Sequence, residues 1–249
     1  MLPILHIGPL AIQTPGLMIL LGIGLGLSLA ERQAEHFRVN GSLLYNLTFI
    51  GLLAGVVAAR LAFIAHFPSA FASTPISIFS LNLNLFEPVW GIGIGLFASG
   101  IYGWRKNMPL KPTLDAFTSA LAICTIAVHL ANLASGDAYG TPVNLPWAIE
   151  MWGTSRHPTQ IYEALAALLI FWLVWPRPAW FSITGQRFLT FLTLSAGARL
   201  FLEAYRGDSV LWGGFRSAQV IAWLILAICL WVLIKMKAKQ TKISEKTLG

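Results

Sequence analysis

Tyr45–Phe67 reads YNLTFIGLLAGVVAARLAFIAHF, a run whose one permanent charge is Arg60. A hydrocarbon core asks for about 20 consecutive apolar residues in a helix. In lipid only a helix or a closed barrel pairs every backbone N–H and C=O. The stretch therefore reads as a membrane span.

The rest of the chain repeats the pattern. Apolar segments fall at about 12–30, 45–67, 89–104, 114–134, 160–175, 188–205 and 217–234. Several are short, so flanking residues, tilt or local thinning of the bilayer must make up the difference. Over 249 residues the chain is 56% hydrophobic and 11% charged, with a mean hydropathy of +0.69. That is too little ionic surface to coat a water-facing globule of this size. Ten Trp and fifteen Phe against ten acidic residues exclude a disordered acidic chain. The strand-length alternation of an outer-membrane barrel is absent. The expected fold class is all-α: a polytopic integral membrane protein, one transmembrane domain over 1–249 with seven transmembrane helices. Ser28-Leu29-Ala30 resembles a signal-peptidase site, yet no Lys or Arg precedes it and Arg32 and Arg38 follow. That polarity is wrong for a cleaved signal, so the segment is read as the first span.

The net charge of +7 is read by location, as topology rather than as a nucleic-acid surface. Alternate loops carry Arg32 and Arg38; Arg105, Lys106 and Lys111; Arg177 and Arg187; and a basic tail, 235–249, with five lysines. The intervening loops, including 68–88 and 135–159, hold only Arg156, Arg206 and Arg216. Twelve basic residues against three put the N-terminus outside and the C-terminus inside. An odd number of spans is required, and seven satisfies it. The 68–88 loop, with Ile76, Ile78, Phe79, Leu81, Leu83 and Leu85, is compatible with an interfacial helix or with a flap.

Orientation then gives depth. Arg60, His129, Arg199 and Glu203 lie late in outward-going spans, and His157 and Glu163 begin an inward-going one, so all are expected in the outer half of the bilayer. Charges there are costly and usually functional. Arg199-x3-Glu203-x2-Arg206 puts two arginines and a carboxylate on one helix face. A guanidinium keeps its proton and presents a planar fork of donors, suited to a phosphodiester or a carboxylate. A structural Arg-Glu-Arg clip is the plainer alternative.

In Arg156-His157-Pro158-Thr159-Gln160-Ile161-Tyr162-Glu163 a proline starts the fifth span, and the helix N-terminus is suited to an anion. Glu163 needs a partner in lipid, and an arginine from another span is the obvious one. An interfacial His and Tyr at a helix start are common anchors. His129, Asn132 and Asp137 close the fourth span and are candidates to line the same cavity. A lone His on an apolar helix is more often a hydrogen-bonded core residue than a base. Gly91-Ile92-Gly93-Ile94-Gly95 lies within a span, so close helix packing is expected rather than phosphate cradling. Cys124 and Cys229 fall in apolar runs, and neither a disulfide nor a metal is expected.

These residues carry a resemblance. Arg156 to Glu163 resembles the RHPxQLYE stretch of prolipoprotein diacylglyceryl transferases, and Arg199 to Arg206 resembles that family's RxxxExxR helix. Ala59-Arg60-Leu61 is similar to its GARL segment, and Ile7-Gly8-Pro9-Leu10-Ala11-Ile12 to its opening. Where the family has an HGG motif, Trp90 stands. Where it has RxGNxxN, the chain has His129, Asn132 and Ser135. It reads as a divergent member.

The resemblance implies transfer of the diacylglyceryl group of phosphatidylglycerol to the lipobox cysteine of a preprolipoprotein, in the inner membrane and without a cofactor. It implies as partners phosphatidylglycerol, the lipobox segment and membrane lipids, and no nucleic acid. His129, His157, Arg199 and Glu203 are the catalytic candidates. Arg60, Asn132, Arg156, Tyr162, Glu163 and Arg206 are the substrate-binding ones. A lipid- or lipoprotein-binding relative without catalysis and a small anion transporter are the competing readings.

Overall fold

The computed structural model describes residues 3–8, 10–72, 75–79, 85–177 and 180–248. The chain is mostly helical. The helices are α1 (Thr14–Ala34), α2 (Gly41–His66), the short α3 (Pro68–Ala72), α4 (Pro88–Arg105), α5 (Leu110–Ser135), α6 (Thr159–Leu173), α7 (Gln186–Leu202) and α8 (Ser217–Leu248). Each apolar segment marked above falls on one of the longer helices. Among the described residues α1, α2, α5 and α8 are long and apolar enough to cross a membrane. The protein is a membrane protein.

The all-helical expectation needs correction between the helices. Ile4–Ile7 pairs with Leu10–Gln13 (β1, β2), Ile149–Met151 with Thr154–Arg156 (β3, β4) and Leu211–Trp212 with Phe215–Arg216 (β5, β6), each as an antiparallel hairpin. Among the described residues these hairpins do not join into a larger or closed sheet. Strands of two to four residues are too short for a period-2 pattern to register in sequence. The tail also differs from a bare solvated end, since α8 continues unbroken past residue 234. The stretch 235–248 holds neither Gly nor Pro and carries five lysines, good helix formers. In the 68–88 stretch, α3 is followed by a 3-10 turn over Pro75–Phe79. Leu81 and Leu83 lie outside the described residues, as does Pro9 of the opening segment.

The chain divides into two compact units, Glu31–Ala116 and Met1–Ala30 with Phe117–Gly249. In the first, Asn40 caps α2 by accepting from the Ser42 N–H at 2.9 Å. Pro88 opens α4 at a position where its missing N–H costs nothing. Gly51, Gly55 and Ala59 of α2 face Gly91, Gly95 and Ser99 of α4. A Cβ on Gly55 would lie 2.9 Å from the Gly91 carbonyl oxygen, and one on Gly95 2.7 Å from that of Gly51. The glycine run therefore serves close backbone packing. Gly95→Leu is expected to force α2 and α4 apart and to cost about 1–3 kcal/mol, read as a lower melting temperature in detergent. An unchanged melt would refute the tight crossing.

In the other unit Gly22 and Gly26 of α1 lie against Ala127 and Ala120 of α5. Ala122, Ile170, Val174 and Phe191 form an apolar core among α5, α6 and α7. Arg187, assigned to a loop by the sequence reading, is fully buried in the first turn of α7. Its Nε donates to the Val174 carbonyl at 2.6 Å, satisfying the C-terminus of α6, and it also donates to Ser119 Oγ. Because α6 and α7 run antiparallel, the start of α6 and the end of α7 meet at the opposite end of the helices from Arg187. Hairpins β3–β4 and β5–β6 lead out of those same two places.

Candidate active site

The site grows from the first turn of α6. Pro158 is its N-cap, one position earlier than the sequence suggests, which is within the ordinary spread of helix boundaries. Thr159 Oγ1 donates to the Ala138 carbonyl at 2.6 Å, and Gln160 Nε2 to that of Asp137 at 2.7 Å. These bonds pin α6 to the chain leaving α5 and aim Glu163, one turn further, into the protein. On the other side α7 ends at Leu202, Glu203–Tyr205 form a 3-10 turn, and Arg206 is extended. The two arginines of RxxxExxR therefore do not share one continuous helix, as the spacing suggested, yet both reach the same carboxylate.

Glu163, 4% exposed, is that carboxylate. Its Oε1 accepts from Arg199 Nη1 at 3.0 Å and from Arg206 Nη1 at 3.3 Å, and its Oε2 lies 3.1 Å from His129 Nδ1. Glu203 Oε2 is 2.9 Å from Arg199 Nη2 and 3.9 Å from Arg206 Nε. The His129–Glu163 and Arg199–Glu203 contacts are short, and the first is an ion pair only when the imidazole is protonated. Asp208 holds Arg206 bidentately, at 2.9 Å to Nε and 2.6 Å to Nη2. Burial opposes the charge on Arg206, but the bond to Asp208 and the pull of Glu163 outweigh it and raise its pKa. It is a fixed cation.

The two arginines differ in exposure. The Arg206 side chain is 12% exposed and enclosed by carboxylates, whereas that of Arg199 is 37% exposed. Arg199 is the more exposed cation of the pair.

Backbone around the site is held by a ribbon through residues 139–143. Thr141 N–H donates to the Tyr205 carbonyl and Gly207 N–H to that of Tyr139, both at 2.8 Å, while His157 N–H donates to that of Thr141 at 3.1 Å. Arg216 Nη1 closes the turn after α7, donating to the carbonyls of Arg206 (2.8 Å) and Glu203 and to Ser209 Oγ (2.9 Å). Gly140 is required where the ribbon passes His157, because a Cβ there would overlap the His157 carbonyl and lie 2.6 Å from its Cβ. Gly140→Ala is expected to move the His157 backbone by about half an ångström and to lower turnover on the order of tenfold. Wild-type turnover would show that the ribbon does not position the site.

Of the remaining predicted residues, His157 and Tyr162 sit together. The Tyr162 hydroxyl is 3.4 Å from His157 Nδ1 and accepts from Trp147 Nε1 at 2.8 Å, and the Tyr205 ring lies 5.2 Å from the imidazole. Asn132 is half-buried on the last turns of α5, its side-chain amide without a hydrogen-bond partner among the described residues. Arg156 is turned to its own hairpin. It donates to the Met151 and Gly140 carbonyls, both at 3.2 Å, and stacks on Tyr139. Arg60 belongs to the other unit. Its Nε and Nη1 donate to the Ile78 (2.9 Å) and Leu85 (2.7 Å) carbonyls between the rings of Phe71 and Phe86.

Sequence reasoning missed Asp208, Arg216, Tyr205, Tyr139 and the buried amide of Gln160. Asp208 carried a signal, as a loop carboxylate two residues from an arginine, and Gln160 stands in the Arg156–Glu163 stretch quoted above; the others depend on the path of the backbone.

A buried carboxylate ringed by two guanidinium groups and an imidazole, with one guanidinium open, suits an anionic ester and a proton transfer beside it. The chain matches the pattern of the family described as Prolipoprotein diacylglyceryl transferase over residues 3–235. It is similar to the phosphatidylglycerol--prolipoprotein diacylglyceryl transferase of Finegoldia magna, at 28% identity over 93% of this chain and 94% of the relative. The enzymes of that name from Clostridioides difficile (28%, covering 83% of this chain and 84% of the relative) and Streptococcus pyogenes (26%, covering 95% of each) are similar as well.

Proposed function

This chain belongs to the prolipoprotein diacylglyceryl transferase family, and from that premise we propose how its own residues carry out the transfer. It is a diacylglyceryl transferase. Its substrates are phosphatidylglycerol and the thiol of a lipobox cysteine in a secreted precursor. The sulfur forms a C–S bond to the terminal glyceryl carbon, the C–O bond from that carbon to phosphate breaks, and glycerol phosphate leaves with the electron pair. The thiol proton passes to a base and finally to the leaving phosphate.

The observation that carries this reading is the open face of Arg199 beside a buried Glu163. Arg199 holds the phosphate and stabilises the charge that grows on it, in a setting where each contact counts for more than in water. Arg206, enclosed by Asp208 and Glu163, fixes Glu163, and Glu203 steadies Arg199 from the far side. His129 is the base. With Nδ1 facing Glu163, its Nε2 is left as the lone pair, and a carboxylate behind the ring steadies the imidazolium that forms. His157, with Tyr162, lines the approach of the acceptor peptide, and Asn132 offers an amide to it. Arg60 and Arg156 act at one remove, by shaping loops.

Seven spans, an external N-terminus and a site in the outer half of the inner membrane are part of this proposal. Eleven basic residues against three near alternate helix ends, with Arg187 left out as buried within α7, support it, and lipid would reach the site sideways between helices. A maleimide that cannot cross the membrane is expected to label Ser209→Cys in spheroplasts and not Lys237→Cys; the reverse pattern overturns the orientation.

Purified protein, phosphatidylglycerol and a lipobox peptide test the reaction, with mass spectrometry for a diacylglyceryl adduct. His129→Gln is expected to abolish most of the adduct and His157→Gln to lower it modestly. Folded wild-type protein that yields no adduct refutes the transfer.

A further inference from the structure

At the end of α7 away from Arg199, a cavity of about 510 Å³ opens between the loop leading into α7 and the last turns of α8. Gln186 begins α7 and Arg199 lies thirteen residues on, which places the two about 20 Å apart along the axis. Trp180, Ser182, Ile183 and Gln186 form one wall, Lys237 and Gln240 the other. We propose that this cavity binds the phosphate of an anionic phospholipid headgroup, at the membrane surface opposite the active site.

The donor set points to an anion. Lys237 has no carboxylate partner among the described residues, and neither the Gln240 amide nor the Ser182 hydroxyl has a hydrogen-bond partner there. No acidic residue occurs from Arg177 to Leu202 or from Ser217 to Ser244, whereas Arg177, Arg187, Arg199, Lys235, Lys237, Lys239 and Lys242 do. An ammonium, an amide and a hydroxyl around one space match the oxygens of a phosphate.

The walls point to a lipid rather than a free anion. The Gln186 amide ties the loop by accepting from the Ile183 N–H and donating to the Trp180 carbonyl, each at 3.4 Å. Arg177 lies 4.6 Å from the Trp180 ring and 4.5 Å from that of Trp172, and Lys235 sits over Trp231. Tryptophan interleaved with Arg and Lys at helix ends is the signature of the lipid–water boundary. The Trp180 indole and Ile183 then offer an apolar side to the glyceryl part of a headgroup. The inference rests on the membrane-spanning reading and is independent of the transfer chemistry.

The full-length protein carrying Arg199→Ala, to weaken phosphate binding at the active site, is titrated in detergent with dihexanoyl phosphatidylglycerol, dihexanoyl phosphatidylcholine or inorganic phosphate. Native mass spectrometry and melting temperature report binding. Retention of the phosphatidylglycerol is expected, with an affinity about fivefold lower after a further Lys237→Ala and lower again with Ser182→Asp. Both positions are outside the core, so each variant's melt without lipid should match its parent. Equal retention of phosphatidylcholine overturns the anion preference. An equal effect of inorganic phosphate overturns the lipid assignment, and indifference to both substitutions overturns the site. Diacylglyceryl transfer by the wild type, measured separately, shows whether the enzyme reading has failed or only this one.

Discussion

Arg199→Ala is expected to lose about 10²–10³ of the transferase turnover while the protein stays folded. Its side chain is the more exposed of the two arginines, so little packing goes with it, and Glu163 keeps Arg206 and His129 when it is gone. What disappears is a donor that holds the anionic phosphate and meets the further charge that develops as the C–O bond to it breaks. The loss should therefore lower kcat and also raise KM for phosphatidylglycerol. Arg199→Lys should recover little, because one ammonium cannot reach Glu163 and Glu203 at 3.0 and 2.9 Å and still face a phosphate. Arg206→Ala makes the contrast. It should lower the melting temperature as well as activity, since that guanidinium joins Glu163 to Asp208. Wild-type turnover in Arg199→Ala, measured by adduct formation, would mean that the phosphate is held elsewhere.

Glu163→Ala is expected to be the most damaging single change to stability. The carboxylate has two guanidinium groups and an imidazole within 3.3 Å. Removing it leaves the two guanidinium groups facing one another with little water to replace it. Breaking a buried ion pair from one side costs about 3–5 kcal/mol, on the order of 10 °C in melting temperature for a chain of this size. Glu163→Gln keeps the shape and loses the charge, so it should recover packing but neither the pairing nor the activity. A melt of Glu163→Ala within a degree or two of wild type would show that water reaches the cluster and that the carboxylate is not its keystone.

Much of the fold is legible in the chain because a span is a local property. Every residue of Tyr45–Phe67 contributes to one average, hydropathy, and the helix needs no distant partner to pair its backbone. Glu163 shows where legibility begins to fail. A carboxylate that deep demands a cation, and an arginine from another span was foreseeable; that Arg199, Arg206 and His129 all converge on it was not. Gly91 to Gly95 reads correctly as a packing surface, but its partner stripe at Gly51 and Gly55 emerges only from the crossing of two helices.

Arg60 and Arg156 show what residue chemistry alone leaves out. Both look like substrate contacts, being charges beside apolar runs, yet each donates to loop carbonyls. A carbonyl left over by an irregular loop is invisible in sequence, because every residue has one and only the path of the chain decides which lack partners.

Hydropathy, a sum over neighbours in the chain, determined that this is a helical membrane protein. The tertiary structure decided which arginine stays open. That outcome depends on the aim of side chains whose residues lie 34 to 43 positions apart, Glu163 with His129, Arg199 and Arg206, and on a turn after Leu202 that brings Asp208 back. Contacts at that separation follow from packing and chain path, which no window of sequence contains.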